Sequence, residues 1–323
     1  MNILKLFTPK IQFNKSIFLN NPFSRTAFVL FSLIFLIASK GLSQPFVDVT
    51  SFNYQTFSSK YKDNTQSKNK TDDYFFNLFL PKQFKNGNVL LMGLNSEMLN
   101  SSIMSSNTSY TSKLYMLILP IGFRFVSINK KWNTVVMSLQ KIASDFKDVI
   151  DKHDYQYGGI FLQTYIPNEK VKIKYGIYYN REFFGNLIVP LFGVDWKVSD
   201  RLYIYGVLPT NYKVEYNIIK NKLYTGFNLK FFTRSYRLSQ LQGNDYVRYN
   251  ETQIKLFIDY FAYKKILLFA ELGYSLGKNP LQYHYNTKDL ETISNPVYSP
   301  LKSYPLINIG LAYRIRMDLT KDN

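Results

Sequence analysis

Residues 306–317 alternate without a break: Ile307, Ile309, Leu311, Tyr313, Ile315 and Met317 are apolar, and Leu306, Asn308, Gly310, Ala312, Arg314 and Arg316 stand between them. A period of two means a strand with one apolar face and one mixed face. The pattern returns at Val171, Ile173, Tyr175, Ile177 and Tyr179 against Lys172, Lys174, Gly176 and Asn180, and at Tyr212, Val214, Tyr216 and Ile218 against Lys213, Glu215 and Asn217. Ile254, Leu256, Ile258, Tyr260 and Ala262 oppose Gln253, Lys255 and Asp259, and Leu268, Ala270, Leu272, Tyr274 and Leu276 oppose Glu271, Gly273 and Ser275. Tyr115, Leu117, Leu119, Ile121, Phe123 and Phe125 oppose Pro120, Gly122 and Arg124. Apolar faces backed by cations and glycines predict an all-β chain, an antiparallel transmembrane β-barrel with lipid outside and water inside. A β-sandwich also alternates, but its strands are usually shorter.

The connections sharpen this expectation. Outer-membrane barrels have short periplasmic turns and longer outer loops. Short polar turns fall at 84–88, 129–131, 167–170, 199–201, 221–222 and 263–265, and longer joins at 96–112, 143–154, 233–250 and 278–304 lie between them. The stretches 58–73 and 101–112, rich in Ser, Asn and Lys, read as loops. Two outer joins, at 182–186 and 209–211, are short, which predicts a low rim on one side. This spacing gives about 14 strands, with 12 the alternative count, and both ends of the barrel in the periplasm. The least regular strands are those near 46–54, 74–80 and 187–198. The last strand is expected to close the ring against the first, near 47–54.

The N-terminus tells where such a barrel would go. Residues 1–43 hold Lys5, Lys10, Lys15, Arg25 and Lys40, no acid, and an apolar run at 26–38. That is the layout of a secretory signal peptide, with Gly41, Leu42 and Ser43 predicting cleavage before Gln44. Residues 44–323 then form one barrel domain. No later segment approaches the roughly 18 apolar residues of a spanning helix, so a membrane protein of this sequence must be a barrel. The chain has no cysteine, which excludes disulfides and thiolate metal sites. Its 27 Tyr and 27 Phe suit membrane interfaces.

The formal charge is +18, and +13 once the five N-terminal cations are removed, leaving 35 Lys and Arg against 22 Asp and Glu. These cations alternate along strands or sit in turns, with no basic helix, so anionic lipid or solute is expected rather than nucleic acid. Lys172, Lys174, Lys213, Lys230, Lys255, Arg314 and Arg316 fall on the lumen face, beside few acids such as Glu215, Asp259 and Glu271. Rings of cations favour anions in a pore. The opposite expectation is an interior in which charges pair across strands. The aromatic join 278–304, with Tyr283, Tyr285 and Tyr298, is the expected constriction.

Other chemistry is sparse. Asp145, Asp148, Asp151 and Asp154 recur every third residue and form a weak candidate calcium site, without the glycine turn and bidentate glutamate of an EF-hand. His153 and His284 are the only histidines. His153 beside Asp151 or Asp154 is the sole acid–base constellation, and no nucleophile lies at a diagnostic spacing. The phosphate-binding glycine loop, the zinc helix and the nucleophile elbow are all missing, so neither a cofactor nor an enzymatic activity is expected. Gly158, Gly159 and Gly176 read as close strand packing.

Within 132–238 stand Ile142-Ala143-Ser144-Asp145-Phe146-Lys147-Asp148, Tyr157-Gly158-Gly159, Pro190-Leu191-Phe192-Gly193-Val194-Asp195-Trp196-Lys197-Val198-Ser199-Asp200, Leu208-Pro209 and Ser235-Tyr236-Arg237-Leu238. In this order and spacing they resemble a family of Gram-negative outer-membrane β-barrels known only as a domain of unknown function. The resemblance implies an outer-membrane barrel and supplies no activity or catalytic residue. Outer-membrane lipid, lipopolysaccharide and the barrel-assembly machinery are then the expected partners. Many such barrels end on an aromatic residue that the assembly machinery reads, whereas this chain continues from Asp318 to Asn323, so the signal is expected at 313–317. The leading functional expectation is a passive or gated channel for small hydrophilic, preferentially anionic solutes. A non-conducting barrel that works through its loops, and a hydrolase at the rim around His153, are the alternatives.

Overall fold

A sheet in lipid has no water to satisfy its edges, so it must close on itself. The chain does this. A computed structural model describes residues 45–62, 68–105, 108–239, 245–276, 281–283 and 301–317. Fourteen strands form one antiparallel ring: β1 (Phe46–Lys60), β2 (Lys68–Gln83), β3 (Val89–Ser105), β4 (Thr108–Val126), β5 (Trp132–Ser144), β6 (Tyr155–Tyr165), β7 (Val171–Glu182), β8 (Gly185–Lys197), β9 (Leu202–Leu208), β10 (Asn211–Ile219), β11 (Leu223–Arg237), β12 (Tyr246–Tyr263), β13 (Ile266–Leu276) and β15 (Tyr304–Arg316). A three-residue strand, β14 (Leu281–Tyr283), pairs only with the start of β12. The ring shuts where β15 meets β1, with Val47 opposite Ile315 and Tyr54 opposite Ile309. One closed sheet excludes the sandwich and gives the count of 14.

Burial follows the alternation. On β15, Ile307, Ile309 and Leu311 are exposed, while Leu306, Asn308, Ala312, Arg314 and Arg316 are buried. The exposed apolar set continues around the wall through Ile121, Val136, Phe161, Ile177, Phe192, Leu256 and Leu272. This is the lipid-facing belt of a transmembrane barrel. Trp132 and Tyr165 pair across β5 and β6 at the turn end, with ring centroids 4.6 Å apart. Close strand packing at the glycines is also observed: a Cβ on Gly176 would lie 2.1 Å from the Phe161 carbonyl oxygen.

The six short turns occur as expected, but three outer joins do not. Residues 96–112, expected as a loop, are mostly strand, because β3 and β4 keep one register from Val89 opposite Arg124 to Ser105 opposite Thr108. Residues 58–73 shrink to a join between Lys60 and Lys68, and 233–250 to one between Arg237 and Tyr246. Beyond the lipid band both faces of a strand can be polar, so Ser, Asn and Thr pair without any alternation to betray them. The result is an uneven cylinder. β3 and β4 have 17 and 19 residues, whereas β9 has 7 and β10 has 9.

The lipid belt makes a direct prediction. Leu256 lies mid-belt on β12, 66% exposed and opposite Leu272. Leu256→Arg should cost about 2–4 kcal/mol, and Thr111→Arg on the high wall about 0–1 kcal/mol. Unfolding titrations in lipid vesicles measure both; equal costs would contradict the assigned belt.

Candidate functional site: a charged interior under a folded-in hairpin

The inward faces of the strands bring opposite charges together in layers. At the end that carries the short turns Arg314 donates to Asp48, 2.6 Å away, and to Asp259 at 2.6 Å. Arg316 reaches Glu215 at 2.6 Å, and the Tyr205 hydroxyl donates to the same carboxylate at 3.1 Å. Aromatic faces cover the guanidinium groups: Phe46 lies 3.6 Å from Arg314, and Tyr224 lies 3.9 Å from Arg316. In the middle, Lys174 pairs with Asp195 at 2.5 Å and Lys255 pairs with Glu271, which also accepts from Asn228 and Asn308. Lys213 is buried over the Phe257 ring, 4.2 Å from its centroid, and Lys230 stands between the rings of Phe75 and Phe232. Lys172 lies on the same inward row as Lys174, opposite Asp195 in the register.

All seven cations named from the sequence therefore sit on inward rows, but the acids beside them were undercounted. Asp48, Asp73, Glu97, Glu182, Asp195 and Glu251 face inward too. Asp48 lies beside a register shift in β1, and Asp73 and Glu97 lie in stretches taken for loops or their borders. Alternation alone did not assign them a face.

The outer mouth is shut by the wall itself. β9 and β10 end early: β8 has its last β9 partner at Phe192 opposite Leu208, and β11 its last β10 partner at Lys230 opposite Asn211. Above these rungs the β11–β12 hairpin leaves the wall and crosses the lumen. The end of β11 makes a parallel bridge with β5, Arg237 opposite Ser144, and the Asp145 N–H donates to the Arg237 carbonyl at 3.1 Å. Four consecutive residues, Arg234, Ser235, Tyr236 and Arg237, are all buried, which a wall strand with one face in lipid or water would not show.

Polar and apolar contacts hold the hairpin there. Ser235 Oγ donates to Glu182, which also binds Lys141 at 3.1 Å and Asn180. Gln156 Nε2 donates to the Ser235 carbonyl at 3.3 Å, and the Phe183 N–H donates to Ser235 Oγ at 3.3 Å. Arg234 binds Asp73 at 3.1 Å and Glu97, with Glu251 3.7 Å away, and the Tyr236 hydroxyl donates to Glu97 at 2.8 Å. Around these, Tyr236, Leu238, Tyr246 and Tyr249 of the hairpin pack on Leu99, Leu114, Ala143 and Phe183. Fully burying a large apolar side chain contributes roughly 1.5–3 kcal/mol, so the closed hairpin is a packed plug and not a loose flap.

The other candidates do not assemble. Asp145 is buried at the end of β5, where its Oδ1 accepts from the Lys147 N–H, while Asp154 accepts from the Asp151 N–H and Asp151 from the His153 N–H. These carboxylates hold turns, and among the described residues no three His, Asp or Glu side chains converge as metal ligands. Asp148 joins no such cluster. His153 is half-buried beside Asp151. His284, Tyr285 and Tyr298 lie outside the described residues, as do residues 1–44, where the signal peptide is expected, and residues 318–323.

The family model described as "Domain of unknown function (DUF6268)" matches residues 42–314. The chain belongs to this family. No curated protein matches. Among solved structures, a toluene transporter of Pseudomonas putida, TodX, is 9% identical with a TM-score of 0.45, over 93% of each chain. An outer membrane channel of Pseudomonas putida F1 is 9% identical with a TM-score of 0.42, over 86% of this chain and all of that one. The NanC porin is 8% identical with a TM-score of 0.35, over 82% of this chain and all of that one. With its closed ring and apolar belt, the family member described here is a transmembrane β-barrel.

The hairpin latch predicts an asymmetric mutational response. Removing one partner of a buried pair costs about 3–5 kcal/mol because the other charge is stranded, whereas an apolar pair of similar size is roughly neutral. Glu182→Ala should therefore destabilise the barrel by about that amount, and Lys141→Met with Glu182→Leu should recover most of it, as measured by equilibrium unfolding. A double variant as unstable as the single would show that the ion pair is not what strands the charge.

Proposed function

We propose that this barrel is an outer-membrane channel for small hydrophilic solutes whose axial path is closed at rest by the β11–β12 hairpin, after export by a signal peptide cleaved before Gln44. The observation that supports the reading is the hairpin itself. A wall element lies across the mouth, on a bed of Lys141, Glu182, Asp73 and Glu97 that keeps water-compatible groups beneath it. A solid interior needs no such polar bed, because apolar packing fills a barrel at least as stably.

Anions are favoured only weakly along this path. Arg314, Arg316, Lys174 and Lys255 each face a carboxylate. Lys172 stands opposite Asp195 as well, so Lys213 and Lys230, over the rings of Phe257, Phe75 and Phe232, bias the field only modestly, against the strongly positive lumen suggested by the cations alone. A non-conducting barrel is the second reading, favoured by the filled layer of Phe46, Tyr205, Tyr224, Arg314 and Arg316 at the periplasmic end.

Planar-bilayer recording separates the two. The refolded wild-type protein should pass little steady current, and Glu182→Ala combined with Ser235→Ala should raise the open fraction and give discrete steps with a modest anion preference. Folded latch variants that stay silent would overturn the channel reading. A steadily open wild-type pore would overturn the closed resting state.

A further inference from the structure

The geometry points to a lateral binding site for one alkyl chain, entered from the outer leaflet through the gap that the short β9–β10 hairpin leaves in the wall. This inference rests on the hairpin's position and not on axial conduction. A cavity of about 550 Å³ opens above that hairpin, within the roughly 300–1,000 Å³ of small-ligand sites.

Its lining is unusual for a barrel because it mixes two faces. Tyr178, Leu187 and Val189 belong to the inward row of β7 and β8, as the burial of neighbouring Asn180 and Leu191 on that row and the exposure of Ile188 show. Phe231, Thr252 and Leu276 belong to the outward row of β11–β13, the row of Ile254 and Leu256. In an intact wall these two rows never meet. They meet here because the hairpin swings inward and presents its lipid-side face to the inner face of β8.

The depth of the gap identifies the occupant. A transmembrane β-strand needs roughly 9–11 residues, and β9 has 7. At about 3.4 Å per residue and a tilt near 40°, it rises about 18 Å, and β10, with 9 residues, about 23 Å, against a lipid band about 25 Å tall. The wall at Pro209 and Thr210 thus stops below the outer edge of the band. What borders the gap there is acyl chain, and Leu187, Val189, Phe231 and Leu276 give the lining an apolar side that suits one, beside Thr233, Asn250 and Glu251. Proline is tolerated where a strand has become a sheet edge. Pro190 falls on the stretch of β8 that has lost its β9 partner, and so leaves one N–H fewer to satisfy in lipid.

Fluorescence quenching tests the site in the folded barrel. In a Trp132→Phe, Trp196→Phe background, single tryptophans are placed by Leu187→Trp, Ile188→Trp and Tyr205→Trp, and each protein is refolded into phosphatidylcholine vesicles with brominated acyl chains. The inward tryptophan at 187 should lose fluorescence as strongly as the lipid-facing one at 188, and the one at 205 should stay bright. Adding Val189→Phe, which fills the cavity, should restore the signal at 187 and leave 188 unchanged. Position 187 as bright as 205 would overturn the proposal. Quenching at 187 by aqueous acrylamide and not by brominated chains would overturn it too, by showing the opening to be water. If Leu187→Trp does not refold, Tyr178→Trp, on the inward row of β7, provides the same reading: loss of its quenching on adding Val189→Phe supports the site, and unchanged quenching overturns it.

Discussion

Backbone hydrogen bonding in a medium without water is the constraint on which this structure depends. Every N–H and C=O within the lipid band needs a partner in the sheet, which forces closure and joins β15 to β1. The same demand explains the less regular half of the molecule. Where β9 and β10 stop short, β11 loses its neighbour above Lys230, and an unpaired edge is unstable there. Leaning inward gives the edge new partners, first at Ser144 and Asp145 and then through side chains. The plug is a consequence of the low rim.

The charges follow from the plug. Closing the mouth removes water from the interior, and buried charges persist only when paired and hydrogen-bonded. Arg234 with Asp73 and Glu97, and Lys141 with Glu182, lie under the hairpin and hold it. Arg314 and Arg316 with Asp48, Asp259 and Glu215 form the matching layer at the other end. The interior is close to balanced, although the chain as a whole is strongly basic. The remaining positive charge lies largely in turns and on the rims.

The parts of the fold within the lipid band were legible because lipid outside and polar groups inside impose a period of two. β7, β12, β13 and β15 appear in the sequence almost rung for rung, and so do the low rim at Pro209 and the closing pair. The upper halves of β1 to β4 were not legible, since serine and asparagine on both faces leave no period to detect. The site was hidden for a related reason. A cation on an alternating strand shows its face, as Lys174 and Lys255 do, but Glu97 and Arg234 lie where alternation fades. Their partnership spans 137 positions. The segments that carried the family resemblance proved more informative than their residue types: Ala143-Ser144-Asp145 and Ser235-Tyr236-Arg237-Leu238 meet at the plug, and Leu208-Pro209 forms the rim that requires it.

The central claim is that the β11–β12 hairpin crosses the lumen and docks on the end of β5. The absence of native cysteine permits a direct measurement. Bridge partners lie within the roughly 4.4–6.8 Å Cα separation that a disulfide spans, and Ser144 and Arg237 are such partners. Ser144→Cys with Arg237→Cys, oxidised in the barrel refolded into lipid vesicles, should form an intramolecular disulfide that shifts migration on a non-reducing gel, whereas Ser144→Cys with Arg201→Cys, at the opposite end, should not. Two unlinked thiols at 144 and 237 in a folded, heat-modifiable barrel would mean that the hairpin stands in the wall, and the account of the closed mouth would fail.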